Sequence, residues 1–303
     1  MAHAQQRMIF VLGNICRDTS FYVDRLPLAG ETVNATATRV GLGGKGLNQA
    51  VAASSAGASV KLVAGIGEDW GEADENAVQA TGCGGLELAL VRKSGPLDCS
   101  SIIVSEAGEN LIVTNALQAE ALSVEDAASL LTFAPSDVLL IQCNLQPEIT
   151  AFAAREARRS GARVIFNPAP LKPWAPSLEC LVDAIILNAQ EASAWTGKAD
   201  AADALAELDV PLAIITLGAA GCVTRRRAEA PRHHPAPAVK AIDATGAGDT
   251  FAGVFAAEWQ ATGDDTRAVN LALRAASASV ARPGALASIP SRQSIEELRR
   301  SLA

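Results

Sequence analysis

One short segment combines residue types that could bind an anion and move a proton. In IDATGAGDTFAGVF, residues 242–255, four small residues (Thr-Gly-Ala-Gly, 245–248) precede Asp249 at the predicted first turn of a helix. Small residues let backbone N–H groups converge on an anion, and the positive end of the helix dipole points to the same place. A carboxylate there can take a proton from a substrate hydroxyl while the N–H groups stabilise transferred charge. The segment therefore indicates phosphoryl transfer, although an aspartate that caps a helix after a plain glycine turn explains it about equally well.

A second glycine-rich segment, GLGGKGLNQAVAA at residues 41–53, matches the dinucleotide-binding pattern G-x-G-x-x-G by its spacing alone. It follows a segment with the pattern of a half-exposed sheet, and the position about twenty residues further on is Lys61 rather than an acid. The P-loop spacing G-x-x-x-x-G-K-[ST] is also absent. We interpret the match as fortuitous, and a nicotinamide-dependent oxidoreductase is the alternative that depends on it.

Length and charge restrict the class of protein. The chain has 303 residues, of which 49% are hydrophobic and 19% charged, enough for one large α/β domain or two small ones with a substantial core. A formal net charge of -8 and only three histidines argue against nucleic-acid binding, which needs a basic face. The one basic run, RRRAEAPRHH at residues 225–234, is predicted to be a solvated hairpin or loop.

The cysteines and the first residues indicate a cytoplasmic protein. Six dispersed cysteines show no C-x-x-C pair and no histidine at zinc-ligand spacing, so reduced, metal-free thiols are expected. The apolar run in MAHAQQRMIFVLGNI is too short for a signal peptide or a membrane span. We therefore expect no membrane association.

Buried strands alternate with helical stretches along most of the chain. The predicted strands are MIFVLGNI, SVKLVAGIG, DVLLIQCN, ARVIFNPA, DAIILNAQ and LAIITLG. The predicted helices are GLNQAVAASSAGA, PEITAFAAREARRSGA, EASAWTGKADAADALAELD and DTFAGVFAAEWQATG. Near-continuous apolarity in the strands is typical of a parallel sheet covered on both faces. The predicted fold is therefore α/β, with a doubly wound, mainly parallel central sheet flanked by helices.

Two segments break the alternation. Residues 31–44 and 100–116 alternate polar with apolar positions and contain glycine turns, as half-exposed antiparallel strands do. They predict a small β lid. Because no long linker or repeat separates parts of the chain, we expect a single domain over residues 1–303.

The two glycine-rich segments together resemble the two signature regions of the ribokinase-like (PfkB) family of carbohydrate and nucleoside kinases. The resemblance continues, in order, through GNICRD, LPLAGETV, FNPAP, LNAQEA, TLGAAG and ARPGALASIP. It covers nearly the whole chain. Each short motif is weak alone, but the ordered set is specific.

This resemblance implies roles for residues at the reaction centre. Asp249 would be the general base that deprotonates the sugar hydroxyl. The anion hole would be formed by the backbone N–H groups of Gly246, Ala247 and Gly248. The residues facing the sugar would be Asp18, Gly43, Gly44, Lys45 and Asn48, although Lys45 could also be a surface lysine in a flexible turn. Polar groups suit this task because each buried hydroxyl must find a partner.

The resemblance also implies sites for ATP and cations. Asn188 and Glu191 match an Asn-x-x-Glu motif near the triphosphate and its Mg²⁺, with the glutamate acting largely through water. The turn beside the nucleotide would contain Thr216, Gly218 and Gly221, although a strand ending in a tight turn explains TLGAAG almost as well. A K⁺ site built mostly from backbone carbonyls would involve Asp243, Thr245, Arg282, Gly284 and Ser288.

Four departures from the family's ribose kinases leave the substrate open. Cys16 replaces an asparagine two residues before Asp18, and it could instead be a small buried hydrophobe on the first strand. Asn144 replaces a glutamate, and the Cys143-Asn144 pair resembles some nucleoside kinases of the family. Residues 117–119 replace a Gly-Ala-Asn stretch, and Ala244 replaces a threonine.

We therefore expect an ATP- and Mg²⁺-dependent kinase, with K⁺ activation as a hypothesis, that phosphorylates a primary hydroxyl of a ribose-like pentose or a ketohexose. Pseudouridine or another nucleoside is an alternative substrate. A non-catalytic sensor of sugar or nucleotide is the rival from another class, although it would have no need for a base. The resemblance further implies a homodimer in which two lids pair.

Overall fold

The computed structural model describes residues 7–302. Its strands are β1 (Met8–Leu12), β2 (Cys16–Val23), β3 (Ala37–Gly43), β4 (Ser59–Ile66), β5 (Leu86–Arg92), β6 (Cys99–Ser105), β7 (Asn110–Thr114), β8 (Val138–Gln142), β9 (Arg163–Asn167), β10 (Ala184–Asn188), β11 (Leu212–Thr216), β12 (Cys222–Arg226) and β13 (Arg232–His234). Its α-helices are α1 (Lys45–Ser55), α2 (Glu72–Gln79), α3 (Leu117–Glu120), α4 (Val124–Leu130), α5 (Pro147–Arg159), α6 (Ala189–Thr196), α7 (Ala201–Glu207), α8 (Ala247–Thr262), α9 (Asp265–Ser279) and α10 (Arg292–Arg300).

Nine strands form the central sheet in the order β13-β12-β11-β10-β9-β8-β1-β4-β5. The neighbours from β11 to β5 pair in parallel, and β12 and β13 add an antiparallel end. This topology confirms the predicted fold class, and each of the six predicted buried runs contains one parallel strand. The seventh parallel strand, β5, was not predicted because its side chains are only half-buried and its apolar pattern is weak.

Both faces of this sheet are covered, as the apolarity of its strands requires. Successive side chains of a strand point to opposite faces. In β1, Ile9 and Val11 belong to one apolar cluster, which includes residues of α1, α8 and α9, whereas Phe10 and Leu12 belong to a second cluster, which includes residues of α5. The sheet therefore holds α1 and α8 on the same side.

A separate sheet has the order β3-β2-β6-β7, with antiparallel outer pairs and one parallel pair, β2 with β6. The prediction of a small β layer is confirmed, but its bounds were wrong. Residues 31–36 are not a strand: Glu31 ends a turn in which its N–H donates to the Leu28 carbonyl at 3.0 Å, and its side chain pairs with Arg25. Residues 100–116 form a hairpin over β6 and β7 that turns at Gly108, with φ 81°. The strand β2 was not predicted because its sequence, CRDTSFYV, contains four consecutive polar residues and so lacks both an apolar run and an alternating pattern.

Two further predictions concern the second half of the chain. The helix expected over EASAWTGKADAADALAELD is two helices, because Gly197 ends α6 in the left-handed conformation (φ 74°) and Asp200 caps α7. The basic run is a hairpin made by β12 and β13, as expected. Among the helices of residues 7–302, none is both long and apolar enough to cross a membrane.

Candidate active site

The amino termini of α1 and α8 meet beside the carboxyl ends of the central strands. Gly44 (φ 96°) starts α1 and Gly246 (φ 78°) starts α8, both in backbone conformations that favour glycine. A Cβ added to Gly253 in α8 would lie 2.3 Å from the Gln49 carbonyl oxygen in α1. This close packing places the first turn of α8 against the first turn of α1.

Asp249 is the third residue of α8 and is only 4% exposed. Its Oδ2 accepts a hydrogen bond from Asn48 Nδ2 at 3.1 Å, and its Oδ1 accepts from Gln49 Nε2 at 3.0 Å. Lys45 Nζ lies 3.5 Å from Oδ1. A buried carboxylate is costly unless such donors surround it. Three predicted site residues are therefore in direct contact, and Lys45 is a paired residue of the first turn of α1 rather than a lysine in a flexible loop.

Asp18 enters the site from the small sheet. In the register of β2 with β3, Cys16 lies opposite Gly43, and a Cβ on Gly43 would lie 1.9 Å from Asp18 Oδ2. Cys16 Sγ donates to Asp18 Oδ1 at 3.0 Å and lies 3.4 Å from Ser100 Oγ. Cys16 is thus buried, but it lies on β2 rather than the first strand and holds a carboxylate instead of packing as a plain hydrophobe.

The carboxylates of the site affect one another. Burial raises the pKa of Asp18, the donors Cys16 and Ser100 oppose this, and the charge of Asp249 adds to it. Burial likewise raises the pKa of Glu191. The positive charge of Lys45 lowers this pKa, and the negative charge of Asp249 raises it. Residues from β2, α1, α6 and α8 therefore share one electrostatic environment.

Of the three N–H groups of the predicted anion hole, two make no hydrogen bond within the described residues. The N–H of Ala247 donates to the Ala244 carbonyl at 3.2 Å, so it is already engaged. Within residues 7–302, the N–H groups of Gly246 and Gly248 make no hydrogen bond, and the space beside Gly248 is open to 4 Å. Thr245 Oγ1 is buried and likewise lacks a partner in this part of the chain. Unused donors at a helix amino terminus fit a phosphate group.

The predicted nucleotide residues occupy the ends of β10 and β11. Asn188 and Glu191 form a reciprocal capping box at the start of α6, with both hydrogen bonds at 2.8 Å. Thr216 ends β11 and Gly218 (φ 60°) follows it, but no hydrogen bond in the described residues joins them to Asp249. A Cβ on Gly221 would lie 2.0 Å from the His234 carbonyl oxygen, so packing against β13 by itself requires glycine there.

The candidate K⁺ region centres on Asp243, which is buried. Its Oδ1 accepts from the Thr245 N–H at 2.9 Å and its Oδ2 from the Gly284 N–H at 2.8 Å, which ties two loops together. The side chains of Arg282 and Ser288 make no hydrogen bond to Asp243 in the described structure; Ser288 Oγ donates to Ala285 at 2.8 Å. Since both carboxylate oxygens are engaged, a cation there would depend on backbone carbonyls, the hard oxygen donors that suit it.

The carboxylates near the site indicate how Mg²⁺ could be held. Residues 7–302 contain no cluster of three or more His, Cys, Asp or Glu that could hold a metal ion. Magnesium usually keeps several waters and binds through one or two carboxylates plus substrate phosphates. Glu191, whose pKa is raised by burial and lowered by Lys45, is a carboxylate that fits such a loose site.

Sequence reasoning missed four polar residues that support the site: Gln49, Ser100, Gln142 and Asn167. Gln142 ends β8 and Asn167 ends β9, each as a polar side chain after an apolar run. That pattern was readable, because ligands of open α/β sheets bind outside the carboxyl ends of the strands. Asn144, which was predicted, follows β8 with a buried Oδ1 that has no partner among residues 7–302.

The dinucleotide alternative fails on topology. In that motif the glycine turn follows a strand of the central parallel sheet. Here the glycines end β3 of the small sheet and start α1.

Comparison with known proteins agrees with this geometry. Residues 6–292 match the pfkB family of carbohydrate kinases. Ribokinase of Mus musculus is 36% identical over 263 residues, covering 82% of this chain and 80% of the relative. Deoxyribokinase of Salmonella typhi is 31% identical over 306 residues, covering 95% of this chain and 97% of the relative.

Solved structures give the same result. Ribokinase of Thermotoga maritima has a TM-score of 0.83 at 30% identity, over 97% of this chain and 99% of that one. Arabidopsis thaliana ribokinase complexed with ribose and ATP has a TM-score of 0.81 at 26% identity, over 98% and 99%. The fold and site define a sugar or nucleoside kinase of the ribokinase type. The chain belongs to the pfkB family of carbohydrate kinases and is an ATP-using enzyme, which disfavours the non-catalytic sensor.

Proposed function

We propose that this kinase transfers the γ-phosphoryl group of ATP to a hydroxyl of a small sugar, namely its primary CH2OH group. The observation that carries the proposal is the position of Asp249. Its buried carboxylate lies next to two unused N–H donors, those of Gly246 and Gly248, and contacts Lys45 and Asn48. A base within reach of a hydroxyl and donors aimed at the transferred group are the two requirements of in-line phosphoryl transfer.

The sugar would lie between the small sheet and α1. Asp18 and Gly43 come from the small sheet, whereas Lys45 and Asn48 come from α1. We propose that residues 1–303 act as one domain, in which the small sheet closes over the sugar as a lid and excludes water.

ATP would lie with its phosphates at the start of α8 and its Mg²⁺ near Asn188 and Glu191. When bound, Mg²⁺ would neutralise phosphate charge and orient the transferred group. Thr216, Gly218 and Gly221 would line the nucleotide side. K⁺ would bind near Asp243 through the backbone carbonyls of Thr245, Arg282, Gly284 and Ser288, and would fix the loop that precedes the anion hole.

The substrate would be a ribose-like pentose or a ketohexose, with a nucleoside such as pseudouridine as the alternative. Cys16 supports a difference from ribose kinases, because its thiol is committed to Asp18 and Ser100 and cannot replace the two-sided hydrogen bonding of an asparagine. Asn144 would offer its unpartnered Oδ1 to a substrate hydroxyl. The similarity to a deoxyribokinase adds 2-deoxyribose to the candidates.

We also propose that the protein is a cytoplasmic homodimer whose small sheets pair. Several apolar side chains of that sheet are exposed, among them Val40 and Val113. Pairing would cover this apolar surface.

The proposed function is tested by measuring ADP release from ATP and Mg²⁺ with ribose, 2-deoxyribose, fructose, adenosine and pseudouridine. We expect one of these substrates to give a kcat/KM at least roughly 10-fold above the others, since a site built around specific hydroxyls rejects analogues that lack them. No turnover across the sugars and nucleosides would contradict the proposal.

A further inference from the structure

A buried glutamine, Gln49, donates a hydrogen bond to the carboxylate of Asp249. Gln49 is 0% exposed, and its Nε2 donates both to Asp249 Oδ1 at 3.0 Å and to Asn167 Oδ1 at 3.0 Å. Its Oε1 accepts from Gln142 Nε2 at 2.7 Å. All three polar positions of this amide are therefore used, and every partner is a side chain.

The partners of Gln49 anchor it to the central sheet. Gln142 and Asn167 are the last residues of β8 and β9 and lie opposite each other in the parallel register. Asn167 Nδ2 in turn donates to the Ile186 carbonyl of β10 at 2.9 Å. The chain of amides thus runs from Asp249 to three adjacent strands of the central sheet, and a group held by strands is positioned more precisely than one held by loops.

The same hydrogen bonds fix which way the Gln49 amide points. Since Asn167 Nδ2 is committed to Ile186, its Oδ1 must face Gln49. A reversed Gln49 amide would set its oxygen against both that Oδ1 and the Asp249 carboxylate, and its NH2 against Gln142 Nε2. The network therefore presents an N–H to Asp249 in a single orientation.

The two oxygens of Asp249 consequently differ. Oδ1 is held by Gln49 and lies 3.5 Å from Lys45 Nζ, whereas Oδ2 contacts Asn48, whose own Oδ1 is buried and has no partner within residues 7–302. Asn48 and Lys45 are the side chains proposed to face the sugar. When they turn to it, Oδ1 keeps the hydrogen bond from Gln49, whereas Oδ2 loses the one from Asn48. Oδ2 is then the oxygen that becomes available to a substrate hydroxyl, while Oδ1 stays bound.

We propose that Gln49 is a positioning residue for the base: it fixes the plane of the Asp249 carboxylate and stabilises its ionised form, and Gln142 and Asn167 fix Gln49. This inference rests on the proposed function of Asp249. A hydrogen bond to the charged form of a carboxylate favours that form. The other charged groups that act on this position are Lys45 from α1, Asp18 from β2 and Glu191 from α6.

Gln49→Met tests the proposal, because methionine has a similar length but no donor. We expect kcat to fall roughly 10- to 100-fold with the sugar KM changed less than about threefold, as for a lost positioning contact. The acidic limb of the kcat profile should move to higher pH, because the ionised base loses a donor. Gln142→Met should give a smaller change in the same direction, and the double variant should be no worse than Gln49→Met.

Gln260→Met is the matched control. Gln260 is also a buried glutamine of the site's own helix, α8, and its Nε2 donates to the Met8 carbonyl at 2.9 Å, but it lies eleven residues beyond Asp249. This variant should lose stability and keep the wild-type kcat and pH profile. If Gln49→Met matches Gln260→Met in kcat and pH profile, the inference is wrong while the kinase assignment stands.

A titration that needs no turnover separates the two proposals. The Asp249 carboxyl resonance is followed by ¹³C NMR against pH, with Asp249→Asn used to assign it. An upward move of its titration in Gln49→Met supports the inference even if no sugar is phosphorylated, and an unchanged titration overturns it. Should Gln49→Met not fold, the same measurement on Gln142→Met decides.

Discussion

At the scale of single residues, the site depends on carboxylates that are kept in a poorly solvated place by specific donors. Asp249 is held by an amide on each oxygen, and Asp18 is held by a thiol and lies near a serine hydroxyl. Burial raises the pKa of Asp18, and the charge of Asp249 raises it further. Asp18 therefore reduces the stability of the unliganded protein, and in the proposed function its carboxylate binds substrate hydroxyls.

Asp18→Asn should reveal the stability that the buried Asp18 carboxylate costs, as a Tm difference from wild type that changes with pH. A carboxyl whose pKa is higher in the folded than in the unfolded protein lowers stability as pH rises from its ordinary range through the raised value. The variant lacks this loss, so its Tm relative to wild type should increase between pH 4 and pH 8, by roughly 3 °C or more, while the sugar KM rises at least about 10-fold. Calorimetry and initial rates measure both.

Asp24→Asn is the control for this variant, because Asp24 is an exposed aspartate directly after the same strand, β2. Its Tm difference from wild type should be small and nearly independent of pH. A Tm difference for Asp18→Asn that is equally flat with pH would contradict the account of Asp18.

At the scale of elements, the site is made where α1 and α8 pack closely enough for their first turns to touch. Gly253 allows this approach because it has no side chain where its Cα faces the Gln49 carbonyl oxygen and the Ala52 side chain. The contact brings Asn48 and Gln49 to Asp249. Catalytic geometry and helix packing therefore depend on the same interface.

Gly253→Ala should disturb both the packing of α1 on α8 and the geometry of the site. The added Cβ would lie 2.3 Å from the Gln49 carbonyl oxygen and 2.7 Å from Ala52 Cβ, so the helices must separate. Alanine favours a helix by up to about 1 kcal/mol over glycine, but overpacking costs typically about 1–3 kcal/mol, and we expect a net loss of stability. Turnover should fall at least roughly 10-fold, since small displacements of catalytic groups are costly.

Denaturant unfolding and kcat are measured against Gly84→Ala, where a Cβ has nothing within 4 Å. Wild-type stability and turnover in Gly253→Ala would show that the helices do not need this close contact.

The sequence could predict the central sheet because its strands are buried on both faces and read as apolar runs. It could not predict β2, in which Asp18 lies in the candidate site and Arg17 pairs with Asp69 and Asp74 instead of packing in a core. Nor could it predict the exact extent of the small sheet, whose strand β7 is exposed along its whole length. Asp249, Lys45 and Asn48 were found because they lie within recognisable segments. Gln49 and Asn167 lie within such segments too, and the polar ends of β8 and β9 were readable, but the hydrogen bonds that join Gln49, Gln142 and Asn167 to Asp249 form only when β8, β9, α1 and α8 are brought together.

At the scale of the whole molecule, the small sheet is the surface with an unsatisfied apolar face. Val40 is 73% exposed and Val113 67% exposed, and they lie on the two edge strands β3 and β7. Edge strands with exposed apolar side chains are prone to association. The proposed dimer would cover them and hold two sugar sites at one interface.

Val113→Lys should convert the dimer to a monomer, because a lysine at the interface would place a charge in an apolar contact. We expect the Kd of the dimer, measured by sedimentation velocity, to rise at least roughly 100-fold. Val239→Lys is the control, since Val239 is also exposed but lies outside the small sheet. A wild-type protein that sediments as a monomer at tens of micromolar would contradict the proposed dimer.

The central claim is that Asp249 is the base of a sugar kinase, and Asp249→Asn tests it most directly. The asparagine keeps the shape of the side chain, so we expect sugar and ATP binding, measured by calorimetry, to stay within about 10-fold of wild type, while turnover of the substrate found by ADP release falls roughly 100-fold or more, the scale of general-base loss. Near-normal turnover in this variant would contradict the role of Asp249 and, with it, the account of the site.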